Sequence, residues 1–253
     1  MNDLSKKYNT YDKQVVLLRM MKDIDMLFKE NNIDYSLCGG TLLGAIRETG
    51  FIPWDDDIDI MVDRNNYEKI VDYFDRDAGV CGYSLNRNLW IDRIQRSEDT
   101  AGSLYFPTID VFVMDNCPDI LIARKLKVLL IMIMQGMMKK DSEYNDLPWK
   151  YKLCLGVTHI MGKPFSDDRK FGWYQAIARL GNKKKTKFIT GYTDAFNLLN
   201  LKYTGKLFDT LVEQQFEDAV FPITAEFDSY LTTQYGDYMT PPDEADRIPH
   251  YTE

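Results

Sequence analysis

Histidine is nearly absent from this 253-residue chain, and the two copies, His159 and His250, are too far apart in sequence to build a His-rich metal site by themselves. Cysteine is scarce as well. Cys38, Cys81, Cys117 and Cys154 are scattered with no CxxC pair, a pattern of free thiols in a reducing compartment. Positive charge is outweighed, 31 Lys and Arg against 39 Asp and Glu, and a formal net charge of −8 argues against a general nucleic-acid binder. There is no Ser/His/Asp triad, no Walker A loop, no GxGxxG, no internal repeat and no low-complexity tract. The segment Met1-Asn2-Asp3-Leu4-Ser5-Lys6-Lys7 lacks the apolar core of a signal peptide, which predicts a cytoplasmic protein. The most apolar run, Val128–Met134, falls short of the ~20 residues that span a bilayer. It is expected to form a buried helix. Its flanking Arg124, Lys125, Lys127, Lys139 and Lys140 leave open an interfacial helix meeting anionic lipid at the inner membrane face.

What is present reads as one large domain, or a core with an appendage. The apolar stripe Val15, Leu18, Ile24, Leu27, Phe28 predicts an amphipathic helix over residues 12–31. Ile33–Cys38 and Ile58–Val62 read as strands. Thr41–Glu48, with Thr41 as N-cap, and Asn65–Arg76 read as helices. Further strands are expected at Tyr83–Asn86, Asp92–Arg96 and Thr108–Met114, the last followed by a turn at Asp115-Asn116-Cys117-Pro118. Beyond Pro118 the texture changes to long helical patterns, which places a boundary near residue 120: residues 1–120 as the core and 121–253 as a mostly helical region. Within the latter, Phe188–Tyr192 looks extended. Leu211–Glu217 and Ala219–Ile223 look like a hairpin with Pro222 on an edge, and Ala225–Gly236 like a helix stopped by glycine.

The chemistry concentrates in Gly39-Gly40-Thr41 and Trp54-Asp55-Asp56-Asp57-Ile58-Asp59-Ile60. On a strand, residues two apart share a face, so Asp57 and Asp59 face one side while Ile58 and Ile60 face the core. Paired carboxylates repel unless a cation lies between them, and hard divalent cations take such oxygens together with substrate phosphates. A Gly-Gly turn opening a helix suits a phosphate, because backbone N–H groups can approach it closely. Asp110, within Ile109-Asp110-Val111, could reach the same face from a neighbouring strand, to bind metal or accept a proton from an attacking hydroxyl. Arg47 can reach back toward the phosphate. Trp54 is either core or a stacking ring, and Asp55 extends the acidic run. Asp115 is expected in a turn. Lys183-Lys184-Lys185 with Lys187 is a solvated basic face or a contact for a polyanionic acceptor.

Gly39-Gly40-Thr41-Leu42-Leu43-Gly44-Ala45-Ile46-Arg47, followed by Gly50-Phe51-Ile52-Pro53-Trp54-Asp55-Asp56-Asp57-Ile58-Asp59, closely resembles the LicD/fukutin-related phosphotransferases of the nucleotidyltransferase superfamily. Ile109-Asp110-Val111-Phe112 looks like that family's third acidic strand. Tyr230-Leu231, Tyr235-Gly236-Asp237-Tyr238-Met239 and Pro241-Pro242 look like its C-terminal ending. The resemblance implies an α+β fold, a nucleotidyltransferase-like mixed sheet flanked by helices with a largely helical second part. It implies transfer of a phospho-alcohol, phosphocholine from CDP-choline foremost, to a sugar hydroxyl of a teichoic acid, capsular or lipooligosaccharide precursor, with CMP released. Asp57, Asp59 and Asp110 would hold Mg²⁺ or Mn²⁺ and perform catalysis. Gly39, Gly40, Thr41, Arg47, Trp54 and Asp55 would bind substrate, and the glycan acceptor would be lipid-linked. A nucleotidyltransferase releasing pyrophosphate and a non-catalytic glycan-binding subunit are the alternatives. Trp90, Tyr105, Trp149 and Trp173 are aromatics suited to a choline cage.

Overall fold

A computed structural model of the chain describes residues 3–76, 82–87, 90–98, 106–139, 149–182, 184–194 and 198–249. Cys81, Tyr105, Lys140, Lys183 and His250 lie outside them. The chain folds as α+β, in two units. Unit 1 comprises residues 1–86, 93–113 and 206–253, and unit 2 comprises residues 87–92 and 114–205. No helix among the described residues is long and apolar enough to cross a membrane.

Unit 1 is built on strands in the order β1-β2-β5-β4-β3, with β1 at Ser36–Leu37, β2 at Ile58–Asp63, β3 at Tyr83–Asn86, β4 at Asp92–Arg96 and β5 beginning at Ile109. β1 runs antiparallel to β2, with Leu37 opposite Ile60, and β3 antiparallel to β4, with Leu85 opposite Ile94. Helices α1 (Tyr11–Glu30), α2 (Gly39–Arg47) and α3 (Arg64–Arg76) belong to this unit. Their inward stripes are the ones the 3.6-residue period demands: Leu17, Met21, Ile24 and Phe28 on α1, and Tyr67, Ile70 and Phe74 on α3, all buried.

The division near residue 120 does not match these units, because residues 206–253 return to unit 1. There the hairpin of β8 (Leu211–Phe216) and β9 (Ala219–Thr224) is followed by α7 (Phe227–Tyr235). The return is held by bonds that no local pattern announces. Thr224 N–H donates to Ser36 Oγ at 2.9 Å, and the Gln214 amide donates to the Ala45 carbonyl at 3.2 Å. Pro222, opposite Glu213, is tolerated because the hairpin is a two-stranded sheet of its own.

In unit 2 the strand β5 continues to Cys117, so the expected turn at residues 115–117 is strand instead. Asp115 pairs opposite Thr190 of β6 (Phe188–Gly191), lies buried, and accepts a hydrogen bond from the Asn182 amide. The side-chain partner outweighs the local turn preference. β6 continues to β7 (Tyr203–Thr204), and helices α4 (Leu121–Met138), α5 (Trp149–Gly162) and α6 (Asp167–Ala178) complete the unit. Val128, Ile131 and Met134 of α4 enter a core with Tyr174, Tyr192 and Leu199, so the Val128–Met134 run is buried along one side only.

Candidate active site

β1 extends its ladder by one step, Cys38 N–H donating to the Asp59 carbonyl at 3.0 Å, and the chain then turns into α2 at Gly39 with φ +54°. L-residues with side chains avoid that region. A Cβ on Gly39 would come within 2.3 Å of Asp59 Oδ2, and one on Gly40 within 2.8 Å of Asp55 Oδ2. The paired glycines therefore seat the first turn of α2 directly on two carboxylates. The N–H groups and dipole at that helix end favour negative charge beside them. The helix begins two residues earlier than the sequence predicts, with Cys38 in the N-cap position. Thr41 is not the cap, because its hydroxyl accepts the Asp59 N–H at 2.9 Å and so ties α2 to β2.

Asp57 immediately precedes β2 and Asp59 lies within it. β5 is the direct neighbour of β2 in the sheet and carries Asp110, nearly fully buried. Burial drives the Asp55 carboxyl well above the ordinary carboxylate range. The charge of Asp57, a side-chain hydrogen bond with it and the charge of Asp56 add to the rise. A bond between two carboxyls requires a proton on one of them. Burial likewise pushes Asp110 up to about 6, against the pull of Arg93 and with the Asp57 charge adding to the rise. Arg93 Nε donates to both Asp110 oxygens, at 3.1 and 3.2 Å, and the Thr108 hydroxyl donates to one at 3.1 Å. Asp55 and Asp59 thus abut the start of α2, and the Asp57 charge acts on both Asp55 and Asp110. Among the described residues, no three of these groups already stand in an arrangement that would hold an ion. Burial raises the Asp55 and Asp110 carboxyls, and Arg93 pairs with Asp110. All-oxygen donors under this protonation pressure are the ligand chemistry of a hard divalent cation.

The pressure has a sign. A carboxyl whose folded pKa is raised gives stability that is complete below its unfolded pKa and is lost as pH rises through the folded value. Asp55→Asn should therefore be more stable than the wild type in EDTA at pH 8. The advantage should shrink toward pH 4. Urea unfolding across that range measures it, and a gap that stays constant with pH rejects it.

The other candidates lie elsewhere. Arg47, in the last turn of α2, donates from Nε to Glu48 at 2.9 Å and from Nη1 to the Tyr238 carbonyl at 3.3 Å. Its Nη2 is buried with no hydrogen-bond partner. The Trp54 ring meets the edge of Tyr8 at 5.8 Å, and the Arg247 guanidinium lies over it at 5.2 Å. No choline cage assembles from the named aromatics among the described residues. Trp173 packs edge-on to Phe165, Trp90 lies against the unit 2 core, and Trp149 is exposed.

Several supporting residues escape sequence reasoning. Gln14, fully buried on α1, donates to the Ile52 and Asp55 carbonyls at 3.1 and 2.7 Å, and Thr10 donates to the Pro53 carbonyl at 2.6 Å. Lys13 pairs with buried Asp56 at 2.9 Å. Together they fix the loop that delivers Asp55 and Asp57. A glutamine at an inward position of α1 was the signal available. Tyr230 of α7 accepts the Gly39 N–H at 3.3 Å, so that N–H is not free as the glycine turn implied. Tyr230→Phe would leave a buried N–H without an acceptor and should cost about 1–3 kcal/mol in urea unfolding. Unchanged stability removes Tyr230 from this supporting role.

The motif region also matches a known family. Residues 32–100, which carry α2, β2 and Arg93, match the family described as "LicD/FKTN/FKRP, nucleotidyltransferase domain". The chain is 25% identical over 272 residues to the lipopolysaccharide cholinephosphotransferase LicD of Haemophilus influenzae, covering 98% of each chain. Over residues 32–100 the chain is thus similar to the LicD family. Two uncharacterized rickettsial proteins share parts of it. The likeness is 31% over 165 residues in Rickettsia typhi, covering 63% of this chain and 46% of that one, and 38% over 88 residues in Rickettsia prowazekii, covering 33% of each. The family match ends before Asp110, whereas the Haemophilus likeness runs through nearly the whole chain.

Proposed function

We propose that this protein is a metal-dependent phosphotransferase that moves phosphocholine from CDP-choline to a sugar hydroxyl of a cell-surface glycan precursor and releases CMP. The observation that carries the reading is the carboxylate group on the glycine-opened helix. It is joined to a likeness, over 98% of both chains, to a protein named as a lipopolysaccharide cholinephosphotransferase. Asp57 and Asp59, with Asp110, are the residues that would hold Mg²⁺ or Mn²⁺, whose charge would offset that of the donor diphosphate. Backbone N–H groups in the first turn of α2, at Gly40 and Thr41 beside Gly39, and the positive end of the helix dipole would favour a donor phosphate. The acceptor oxygen bonds to the choline-bearing phosphorus, the bridging P–O bond breaks, and its electron pair leaves with CMP. Asp110, near 6 and beside Arg93, is suited to take the acceptor proton. Most of the rate enhancement in such a transfer comes from positioning and charge neutralisation.

The nucleotidyltransferase character of the matched domain favours one second reading, transfer of a nucleotide with release of pyrophosphate. Product analysis separates the two. Incubation with CDP-choline, Mg²⁺ and glycan acceptor should yield CMP. Pyrophosphate from a nucleoside triphosphate, with none of the CMP reaction, overturns the proposal, and no turnover with either donor favours a binding subunit.

A further inference from the structure

We infer that unit 2 docks on an anionic lipid surface through the exposed faces of α4 and α5. This deepens the reading above by naming where a lipid-linked acceptor would be met, and it rests on that reading only for its purpose.

The two units differ sharply in charge. Unit 2 carries 17 Lys and Arg against nine Asp and Glu, a formal +8, while the rest of the chain carries 14 against 30, a formal −16. Neither α4 nor α5 contains a single acidic residue. The two helices pack closely. A Cβ on Gly136 would collide with the Thr158 side chain, one on Gly162 would collide with the Met137 backbone, and His159 Nδ1 pairs with the Lys139 carbonyl at 2.8 Å.

Each helix turns a second apolar stripe outward. Ile122, Leu126 and Leu129 on α4, and Leu153, Val157 and Ile160 on α5, repeat at i, i+4, i+7 and are all more than half exposed. Trp149, at the start of α5, is 70% exposed. An apolar stripe with cationic flanks, no carboxylate and a tryptophan at its margin is the composition of a helix lying in the headgroup region. A second copy of unit 2 would bring +8 against +8, whereas an anionic bilayer supplies both the apolar depth and the opposite charge.

The structure removes one of the expected lipid-facing lysines. Lys127 is buried, its Nζ donating to the Asn116 and Leu180 carbonyls at 3.0 and 2.8 Å and lying 4.2 Å from the Tyr192 ring centroid. Lys125, also among the expected lysines, lies on the exposed side of α4 and keeps the lipid role.

Co-sedimentation of the full chain with phosphatidylglycerol-containing vesicles, and with pure phosphatidylcholine vesicles, tests this. Binding should appear with the anionic vesicles at low salt and weaken in high salt. Leu126→Asp combined with Leu153→Asp should weaken it at least about tenfold. Lys125→Glu, a surface change that spares the fold, should weaken it at least about fivefold. A blue shift of tryptophan emission on vesicle addition should be lost in Trp149→Phe. Asp57→Asn should bind vesicles like the wild type, so a failed transferase assay and a failed docking surface are told apart. Three outcomes overturn the inference: no binding to anionic vesicles at low salt, equal binding by the stripe variants, or a concentration-dependent dimer that those variants abolish.

Discussion

Asp57→Asn and Asp59→Asn should each lower turnover by at least about 10³-fold while the protein stays folded. Each change removes one charged oxygen donor from a site whose task is to offset phosphate charge, and metal-assisted stabilisation of that kind is worth several kcal/mol. The folded state should not suffer. Burial and the neighbouring Asp57 already work against the charged form of Asp55. Loss of a carboxylate therefore relieves a cost rather than adding one. The matching ligand experiment is thermal unfolding with and without Mg²⁺. The wild type should gain stability as the cation is added, by about 2.7 kcal/mol at a hundred times its Kd, and Asp57→Asn should gain much less. Wild-type rates in both variants, or full activity in excess EDTA, would falsify the metal assignment.

Gly39→Ala is the second change with a large expected effect, because a single methyl group meets two obstacles there. The backbone sits at φ +54°, where a side chain costs about 1–2 kcal/mol. The new Cβ would also lie 2.3 Å from Asp59 Oδ2, so the carboxylate must swing away. Misplacement of about 1 Å at a reacting centre costs on the order of 10²-fold in rate. Gly39→Ala should thus lose about 1–2 kcal/mol in urea unfolding and at least about 10²-fold in kcat/KM. The neighbouring Gly40→Val should weaken CDP-choline affinity far more than folding, since its Cβ meets the movable end of Asp55 rather than backbone. Titration of CDP-choline against folded Gly40→Val decides this, and an unchanged Kd rejects it.

Much of unit 1 was legible in the residue pattern. The alternation Asp57-Ile58-Asp59-Ile60 places β2 and sorts its faces. The apolar stripes place α1 and α3, and the glycine at 236 stops α7 where φ reaches +71°. These are local rules with periods of 2 and 3.6, and they survive because the burial they imply is the burial the fold provides. The glycine pair and the carboxylates could likewise be picked out from spacing alone.

Tertiary structure decided the rest. Which strand lies beside β2 is a matter of sheet order, which no local spacing encodes, so the approach of Asp110 to Asp57 was open until the strands were paired. Arg93, 17 residues before Asp110, carries no motif and becomes its partner only through the fold. Tyr230 reaches Gly39 across 191 residues, and Gln14 holds the Ile52 and Asp55 carbonyls from another helix. The turn expected at Asp115 failed for the same reason. A polar residue with a local turn preference stays in a buried strand when a distant amide, here Asn182, satisfies its oxygen. Which side of the Val128–Met134 run is covered also depended on what packs there. Hydropathy registers an apolar helix, and only its neighbours determine which face is left to solvent.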